Sequence, residues 1–317
     1  MSRSKGLQPE LYRYRQSNVD VPYTLCIEGQ APGPTVVITA IIHGNEYAGA
    51  VALDRLAKRL DRVSMGRLFL CFAHHEAYGQ YDPERPLAGR YLQRDMNRVW
   101  DDDLMTNGDA SWEAGRAREM LPIIEQCDFL LDLHTMVRPG PPLAIIGAAA
   151  RHLDLAMAVG MPDWIIIDPG HDSGHRLTDY KHFRDDAAYA SSMLVECGGH
   201  QEINSIKAAE HACWQFLSAL HLVDEPEGLY DIHRESERRL VRTTHTLKPS
   251  DGTPFSFSRP FDGLELLPYA GTLVAMDGER EIRTPYADCV LLMPSILPHP
   301  DDTALRFGRI EPLAPKP

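Results

Sequence analysis

His43 and Glu46, in the sequence His-Gly-Asn-Glu, are the pair of residues best suited to chemistry in this chain of 317 residues. The apolar run at 35–42 that precedes them predicts a buried strand, and the segment at 47–53 that follows predicts the start of a helix. Ligand sites in open α/β sheets collect at the carboxyl ends of strands. An imidazole and a carboxylate on such a turn can bind the same zinc ion.

A second histidine occupies a similar position later in the chain. The run at 129–133 predicts another strand, and His134 stands at its end. Asp132 precedes it by two residues, so both side chains point to the same face of a strand, where the carboxylate can orient an imidazole. We therefore predict that His43, Glu46 and His134 bind one Zn²⁺ and leave one coordination position open.

The segment at 89–100 is rich in hydrogen-bond donors and predicts no regular helix. It contains Arg90, Arg94, Asn97 and Arg98. Arginine can hold a carboxylate through two parallel hydrogen bonds, so the segment suits an anionic substrate. A salt-bridged surface loop is the alternative, because Asp95 and the acidic run at 101–103 lie nearby.

Glu196 is the candidate general base. It ends the apolar run at 192–196 and is followed by glycines at 198 and 199. A charge at such a position is costly unless it is paired or functional, and a carboxylate near zinc can take a proton from water. The alternative is a glutamate at a strand edge that points to solvent.

Composition places the chain among globular proteins. It is 44% hydrophobic and 24% charged, and no apolar segment has transmembrane length or the pattern of a secretory signal. The net charge of −13 disfavours nucleic acid as a partner. Six scattered cysteines without a Cys-x-x-Cys motif predict buried thiols in a reducing cytoplasm. A homo-oligomer is compatible with these features, although none of them specifies one.

The chain divides into two parts by sequence pattern. Residues 1–225 alternate strand-like and helix-like segments, which predicts an α/β catalytic domain with a mixed sheet flanked by helices. Residues 226–317 carry short apolar runs between glycine-containing turns, which predicts a smaller all-β domain.

Four motifs together resemble the succinylglutamate desuccinylase/aspartoacylase branch of the zinc carboxypeptidase superfamily. They are His-Gly-Asn-Glu at 43–46, Arg90 ahead of the Asn97-Arg98 pair, Asp-Leu-His at 132–134 and Val-Glu-x-Gly at 195–198. All four occur in the order found in that family, and the resemblance covers roughly residues 35–225. One departure is His74-His75, where such proteins commonly carry Asn-Pro after the strand.

The resemblance implies a function for each motif. His43, Glu46 and His134 would hold zinc, and Glu196 would be the base. Arg90 would polarise the scissile carbonyl, and Asn97 and Arg98 would bind the carboxylate of the amino-acid portion. The family implies hydrolysis of a small N-acyl amino acid and a carboxypeptidase-like fold with a small β domain that can cover the site.

The sequence leaves two matters open. The acyl group is one, because no residue that binds it is identified. The reaction is the other, since a metallocarboxypeptidase acting on peptide C-termini or a non-catalytic metal- or ligand-binding protein would use a similar metal site.

Overall fold

A computed structural model describes residues 6–82, 84–85, 87–224, 238–296, 298–300 and 302–313 of the chain. An eleven-stranded mixed sheet with flanking helices forms the main body, and a second sheet has three antiparallel strands. The expected α/β fold with a β-rich C-terminal part is confirmed. The predicted domain boundary between residues 225 and 226 lies outside the described residues, so the division into two domains stays a prediction.

The regular elements agree closely with the expected pattern. The strands are β1 Thr24–Glu28, β2 Thr35–Ala40, β3 Arg67–Phe72, β4 Phe129–Met136, β5 Leu143–Ile146, β6 Trp164–Ile167, β7 Ser191–Gly199, β8 Arg239–Leu247, β9 Phe255–Phe257, β10 Glu265–Leu267, β11 Leu273–Asp277, β12 Arg280–Arg283, β13 Cys289–Leu292 and β14 Leu305–Glu311. The α-helices are α1 Tyr47–Arg59, α2 His75–Tyr78, α3 Trp112–Ile124, α4 Ala150–Val159 and α5 Ile203–Ala219.

The main sheet runs in the order β1-β3-β2-β4-β7-β5-β6-β8-β14-β13-β10. Strands β3, β2, β4 and β7 are parallel to one another, whereas β5 pairs antiparallel with β7. The carboxyl ends of β2, β4 and β7 therefore meet at one edge, and β5 starts at that same edge. This is the position that favours a ligand site.

Local sequence explains the central elements. Every residue of β2 is buried, as expected for a continuous apolar strand covered on both faces. Val36 and Ile38 pack into one apolar cluster with residues of α1, α4 and α5, and Val37 packs into another with residues of α3. Ser111 caps the start of α3, because its hydroxyl accepts a hydrogen bond from the Ala114 N–H at 3.2 Å.

The C-terminal strands are joined to the main sheet. Strand β8 pairs in parallel with β6, and β14, β13 and β10 follow by antiparallel pairing. All six cysteines are buried free thiols, as expected. Among the described residues, no helix combines the length and the apolar character needed to cross a membrane.

Candidate active site

The turn after β2 brings His43 and Glu46 onto one short segment. Ile41 has a φ of 55°, a conformation that is rare for a β-branched residue and that turns the chain sharply away from the strand. The Glu46 N–H then donates to the His43 carbonyl at 3.1 Å, and Glu46 is the N-cap residue of α1. Both side chains are buried, at 5% and 2% exposure.

Close backbone contacts require a glycine at position 44 of this turn. A Cβ atom at this position would lie 2.3 Å from backbone atoms of Ala77 and Tyr78 and 2.5 Å from the Gly89 carbonyl oxygen. The Gly44 N–H also donates to the Arg90 carbonyl at 3.0 Å. The turn is therefore packed directly against α2 and against the segment that contains Arg90.

His134 meets the first two residues from β4. Ligand atoms of His43, Glu46 and His134 all lie within 4.8 Å of one another. One oxygen of Glu46 lies 2.8 Å from His43 Nδ1, and the other lies 3.0 Å from His134 Nδ1. The backbone N–H of Thr135 donates to that second oxygen at 2.9 Å. The three residues proposed as metal ligands thus converge, although they come from two distant parts of the chain.

Each imidazole contacts a further carboxylate through its Nε2 atom, on the side of the ring away from Glu46. His43 Nε2 is 2.9 Å from Asp95 Oδ1, and His134 Nε2 is 2.8 Å from Asp132 Oδ2. Carboxylates in such positions fix the ring orientation of metal-binding histidines. Both Nδ1 atoms therefore face Glu46, and the resulting set of two nitrogens and a carboxylate suits zinc. Asp132 occupies its predicted position, and Asp95, which the sequence suggests only as an ion-pair partner in a loop, lies against His43.

The charges at this centre are strongly coupled. Burial opposes ionisation of Glu46, but His43 and His134 hold the pKa of its carboxyl well below the usual value. Burial likewise opposes a charge on His134, yet Asp132 and Glu46 raise the pKa of its imidazole well above the usual value. The structure thus places negative charge on both sides of His134, an environment that favours a bound cation.

Glu196 lies beside His134 on the neighbouring strand. The two residues are partners in the parallel register of β4 and β7, so their side chains share one face of the sheet. Burial, followed by repulsion from Glu46, raises the pKa of the Glu196 carboxyl to about 8. Its Oε2 atom is buried and has no hydrogen-bond partner among the described residues. The residue as a whole is half-buried and lies on the same face of the sheet as His134.

Arg90 lies over the metal-ligand cluster. Its guanidinium contacts Glu46 Oε1 at 3.1 Å and Asp95 Oδ2 at 3.0 Å, and it lies 2.9 Å from His43 Nε2. One third of the side chain remains exposed. The segment around Arg90 forms no regular α-helix, as expected, and contains only a 3-10 turn at Met96–Arg98.

Asn97 and Arg98 are held by the segment that follows β6. Leu177 N–H donates to Asn97 Oδ1 at 2.9 Å, which orients the amide so that its Nδ2 group points to His134. Gly174 has a φ of +130° and packs against the Arg98 carbonyl, where an added Cβ would lie at 2.1 Å. Among the described residues, the Arg98 guanidinium donates to the Asn97 carbonyl and forms no ion pair within 4.0 Å, although the Asp95 carboxylate lies near enough to interact with its charge.

These residues line one cavity of about 400 Å³. His43, Glu46, Arg90, Asn97, Arg98, His134 and Glu196 all contribute to it. The C-terminal part of the chain contributes Gly263, Met293 and Arg306, among others. Both parts of the chain therefore contribute to the wall of the cavity.

A buried ion cluster fixes one wall of the cavity. Arg176 contacts Asp179 at 2.6 Å and Asp168 at 3.2 Å, and Arg306 from β14 lies 3.0 Å from Asp168. No local motif in the sequence marks Arg176 or Arg306 as a neighbour of the site, so these residues are not predictable from the sequence alone.

Comparisons of the sequence with known families agree with this geometry. The sequence-family model of the succinylglutamate desuccinylase/aspartoacylase catalytic domain matches residues 32–212 of this chain. A curated protein of Parasynechococcus marenigrum (strain WH8102), named "Probable aspartoacylase", is 31% identical over 141 residues. That alignment spans 41% of this chain and 45% of the relative, so it covers less than half of either protein.

Solved structures show the same fold over nearly the whole chain. Succinylglutamate desuccinylase from Vibrio cholerae superposes with a TM-score of 0.69 at 19% identity, covering 91% of this chain and 86% of that one. A succinylglutamate desuccinylase/aspartoacylase from Rhodobacter sphaeroides gives a TM-score of 0.66 at 16% identity, covering 93% and 90%. At these identities the likeness concerns the fold alone.

Proposed function

This chain belongs to the succinylglutamate desuccinylase/aspartoacylase family of deacylase-type hydrolases, and on that premise we propose that it is a zinc-dependent amidohydrolase that cleaves a small N-acyl amino acid in the cytoplasm. The observation that carries the proposal is the convergence of His43, Glu46 and His134 within 4.8 Å in the cavity that Glu196 also lines.

In the proposed site, the Nδ1 atoms of His43 and His134 and the carboxylate of Glu46 would hold zinc. Asp95 and Asp132 keep the two rings in orientation through the contacts at Nε2. When bound, zinc supplies Lewis-acid activation of water and of the scissile carbonyl.

Glu196 is the proposed proton carrier. Its Oε2 has no partner among the described residues, so it is available to accept a proton from the attacking water. The same carboxyl then returns that proton to the leaving nitrogen. The raised pKa suits the second of these steps, because burial and the nearby Glu46 carboxylate favour the protonated form of Glu196.

Arg90, Asn97 and Arg98 are the proposed substrate-binding residues. Arg90 would donate to the oxygen of the scissile carbonyl as negative charge develops there. Asn97 Nδ2 and the Arg98 guanidinium would bind the carboxylate of the amino-acid portion. Support comes from Leu177, which uses the Asn97 oxygen and leaves the amide as a donor, and from the Arg98 guanidinium, which forms no ion pair among the described residues.

The C-terminal wall of the cavity favours a small substrate over a peptide. Gly263, Met293 and Arg306 of the C-terminal part line the cavity together with the metal-ligand residues. A metallocarboxypeptidase needs room for the remainder of a peptide on one side of the scissile bond. The C-terminal wall takes up part of that room.

The proposal is tested by a hydrolysis screen. The full chain is assayed with N-acetyl and N-succinyl amino acids and with short peptides, before and after treatment with a chelator. We expect hydrolysis of at least one N-acyl amino acid, loss of that activity with the chelator and recovery with added zinc. Cleavage of peptides alone would support the carboxypeptidase alternative, and binding of zinc without any turnover would support a non-catalytic protein.

A further inference from the structure

A buried glutamate of α3 contacts the segment that carries Arg90. Glu113 lies in the first turn of α3 and is 0% exposed. An acidic residue at this position of a helix is ordinarily exposed and interacts with the helix dipole. Glu113 instead directs its carboxylate to the chain between Arg90 and Asp95. It therefore connects α3 to the proposed substrate-binding segment.

One oxygen of Glu113 accepts three hydrogen bonds. The backbone N–H groups of Leu92 and Gln93 donate to Oε1 at 2.6 Å and 3.1 Å. The third donor is Nε2 of His74, at 3.0 Å. Residues 91–95 belong to no helix or strand, so their backbone N–H groups depend on partners of this kind. The carboxylate thus fixes the course of the chain directly after Arg90.

The charges of this contact identify the donor and the acceptor. Burial opposes ionisation of Glu113, but hydrogen bonds from the Gln93 N–H and from His74 hold the pKa of its carboxyl below the usual value. Burial lowers the pKa of the His74 imidazole, although Glu113 opposes that shift. A carboxylate only accepts hydrogen bonds, so the neutral imidazole carries its proton on Nε2 and donates it to Glu113.

His74 connects the same contact to the turn after β2. Its backbone N–H donates to the Ile41 carbonyl at 2.9 Å. In that turn, the Gly44 N–H donates to the Arg90 carbonyl at 3.0 Å. The backbone at Arg90 is therefore held by the turn that carries two metal-ligand residues, and Glu113 holds the residues that follow.

We propose that Glu113, oriented by His74, is a positioning residue that holds the Arg90 guanidinium over the metal-ligand residues during the reaction. This inference rests on the proposed function, because Glu113 acts through the role assigned to Arg90. Neither Glu113 nor His74 is among the described residues that line the cavity, so both act without touching the substrate.

The test is a double-mutant cycle between Glu113→Ala and Arg90→Gln, assayed with the N-acyl amino acid that wild type cleaves fastest. We expect Glu113→Ala to retain stoichiometric zinc and to lower kcat about 10- to 100-fold with KM changed less than about 3-fold, because displacement of a positioned group by about 1 Å can cost about 10²-fold in rate. In the Arg90→Gln protein, the same substitution should lower kcat less than about 3-fold, since residues that act through one another are not additive. A glutamate that only stabilises the fold lowers kcat by the same factor in both proteins, and that result would overturn the inference.

Conservative variants and a matched control separate positioning from folding. Glu113→Gln keeps an acceptor for the two N–H groups, so its kcat should lie between those of wild type and Glu113→Ala. Glu125→Ala removes an exposed carboxylate at the other end of α3, where it pairs with Lys181 at 3.4 Å, and its kcat should equal that of wild type. If Glu113→Ala fails to fold, as judged by circular dichroism, the cycle with His74→Leu, which removes the imidazole donor, decides.

Hydrogen exchange distinguishes failure of this inference from failure of the proposed function, because it requires no hydrolysis. The Leu92 and Gln93 amides should exchange about 10-fold faster or more in Glu113→Ala than in wild type, as measured by nuclear magnetic resonance. If no N-acyl amino acid is cleaved but these amides lose protection in Glu113→Ala and not in Glu125→Ala, the proposed function fails and the support of the Arg90 segment by Glu113 stands. If hydrolysis occurs and the two amides keep their protection in Glu113→Ala, the inference is overturned.

Discussion

Asp132→Asn is the sharpest test of the proposed metal site. Asp132 is fully buried, with one oxygen 2.8 Å from His134 Nε2 and the other 2.6 Å from the Thr39 hydroxyl. Asparagine has nearly the same shape. Its amide oxygen can still accept from His134, and the Thr39 hydroxyl can turn to accept from its NH₂ group. The substitution therefore removes the charge and leaves the packing in place.

The expected loss is in zinc affinity. Removal of a carboxylate that orients a metal-binding histidine typically costs about 10- to 100-fold in metal affinity. This corresponds to about 1.4–2.7 kcal/mol of binding free energy. The loss arises because an imidazole without its anionic neighbour is a weaker base and is less firmly oriented.

The assay measures the zinc dissociation constant by competition with a chromogenic chelator. Asp128→Asn is the matched control, because Asp128 precedes the same strand and accepts from the Thr35 N–H at 2.8 Å, away from the metal-ligand residues. Thermal unfolding of the metal-free proteins verifies that both variants fold. Equal zinc affinity in wild type and Asp132→Asn, or an equal loss in Asp128→Asn, would refute the reasoning.

Three further predictions concern catalysis and substrate binding. Glu196→Gln should retain stoichiometric zinc and lose turnover by about 10²- to 10⁴-fold, as for loss of a general acid–base; full activity with bound zinc would show that another group is the base. Arg90→Gln should lower kcat by about 10²- to 10³-fold, as for loss of one oxyanion donor, and a change confined to KM would contradict that role. Gly174→Ala should raise KM with zinc retained, because its Cβ would lie 2.1 Å from the Arg98 carbonyl oxygen. Gly115→Ala is its control, since an added Cβ in α3 meets nothing within 4 Å, and it should be neutral or stabilise the fold by up to about 1 kcal/mol.

The local elements could be predicted because their signals are local. Strands β5 and β6 coincide with short continuous apolar runs of the sequence, Leu143–Ile146 and Trp164–Ile167. Serine favours the N-cap position, and Ser111 caps α3. Apolar runs and the capping preference of serine act within a few residues, so the sequence alone contains them.

The proposed metal ligands were also accessible from the sequence. His43 and Glu46 share one turn, and His134 ends a strand, so the general rule that sites form at carboxyl strand ends was sufficient to group them. The two-residue period of a strand predicts that Asp132 lies beside His134, because residues two apart on a strand share a face.

The remainder of the cavity depends on contacts between distant segments. Asp95 reaches His43 across 52 positions of sequence, and Arg306 of β14 reaches Asp168 from the C-terminal part. Sequence determined which elements form and which ends of strands carry reactive groups. The tertiary structure decided which charges compensate one another, because that balance depends on distances across the sheet rather than on spacing along the chain.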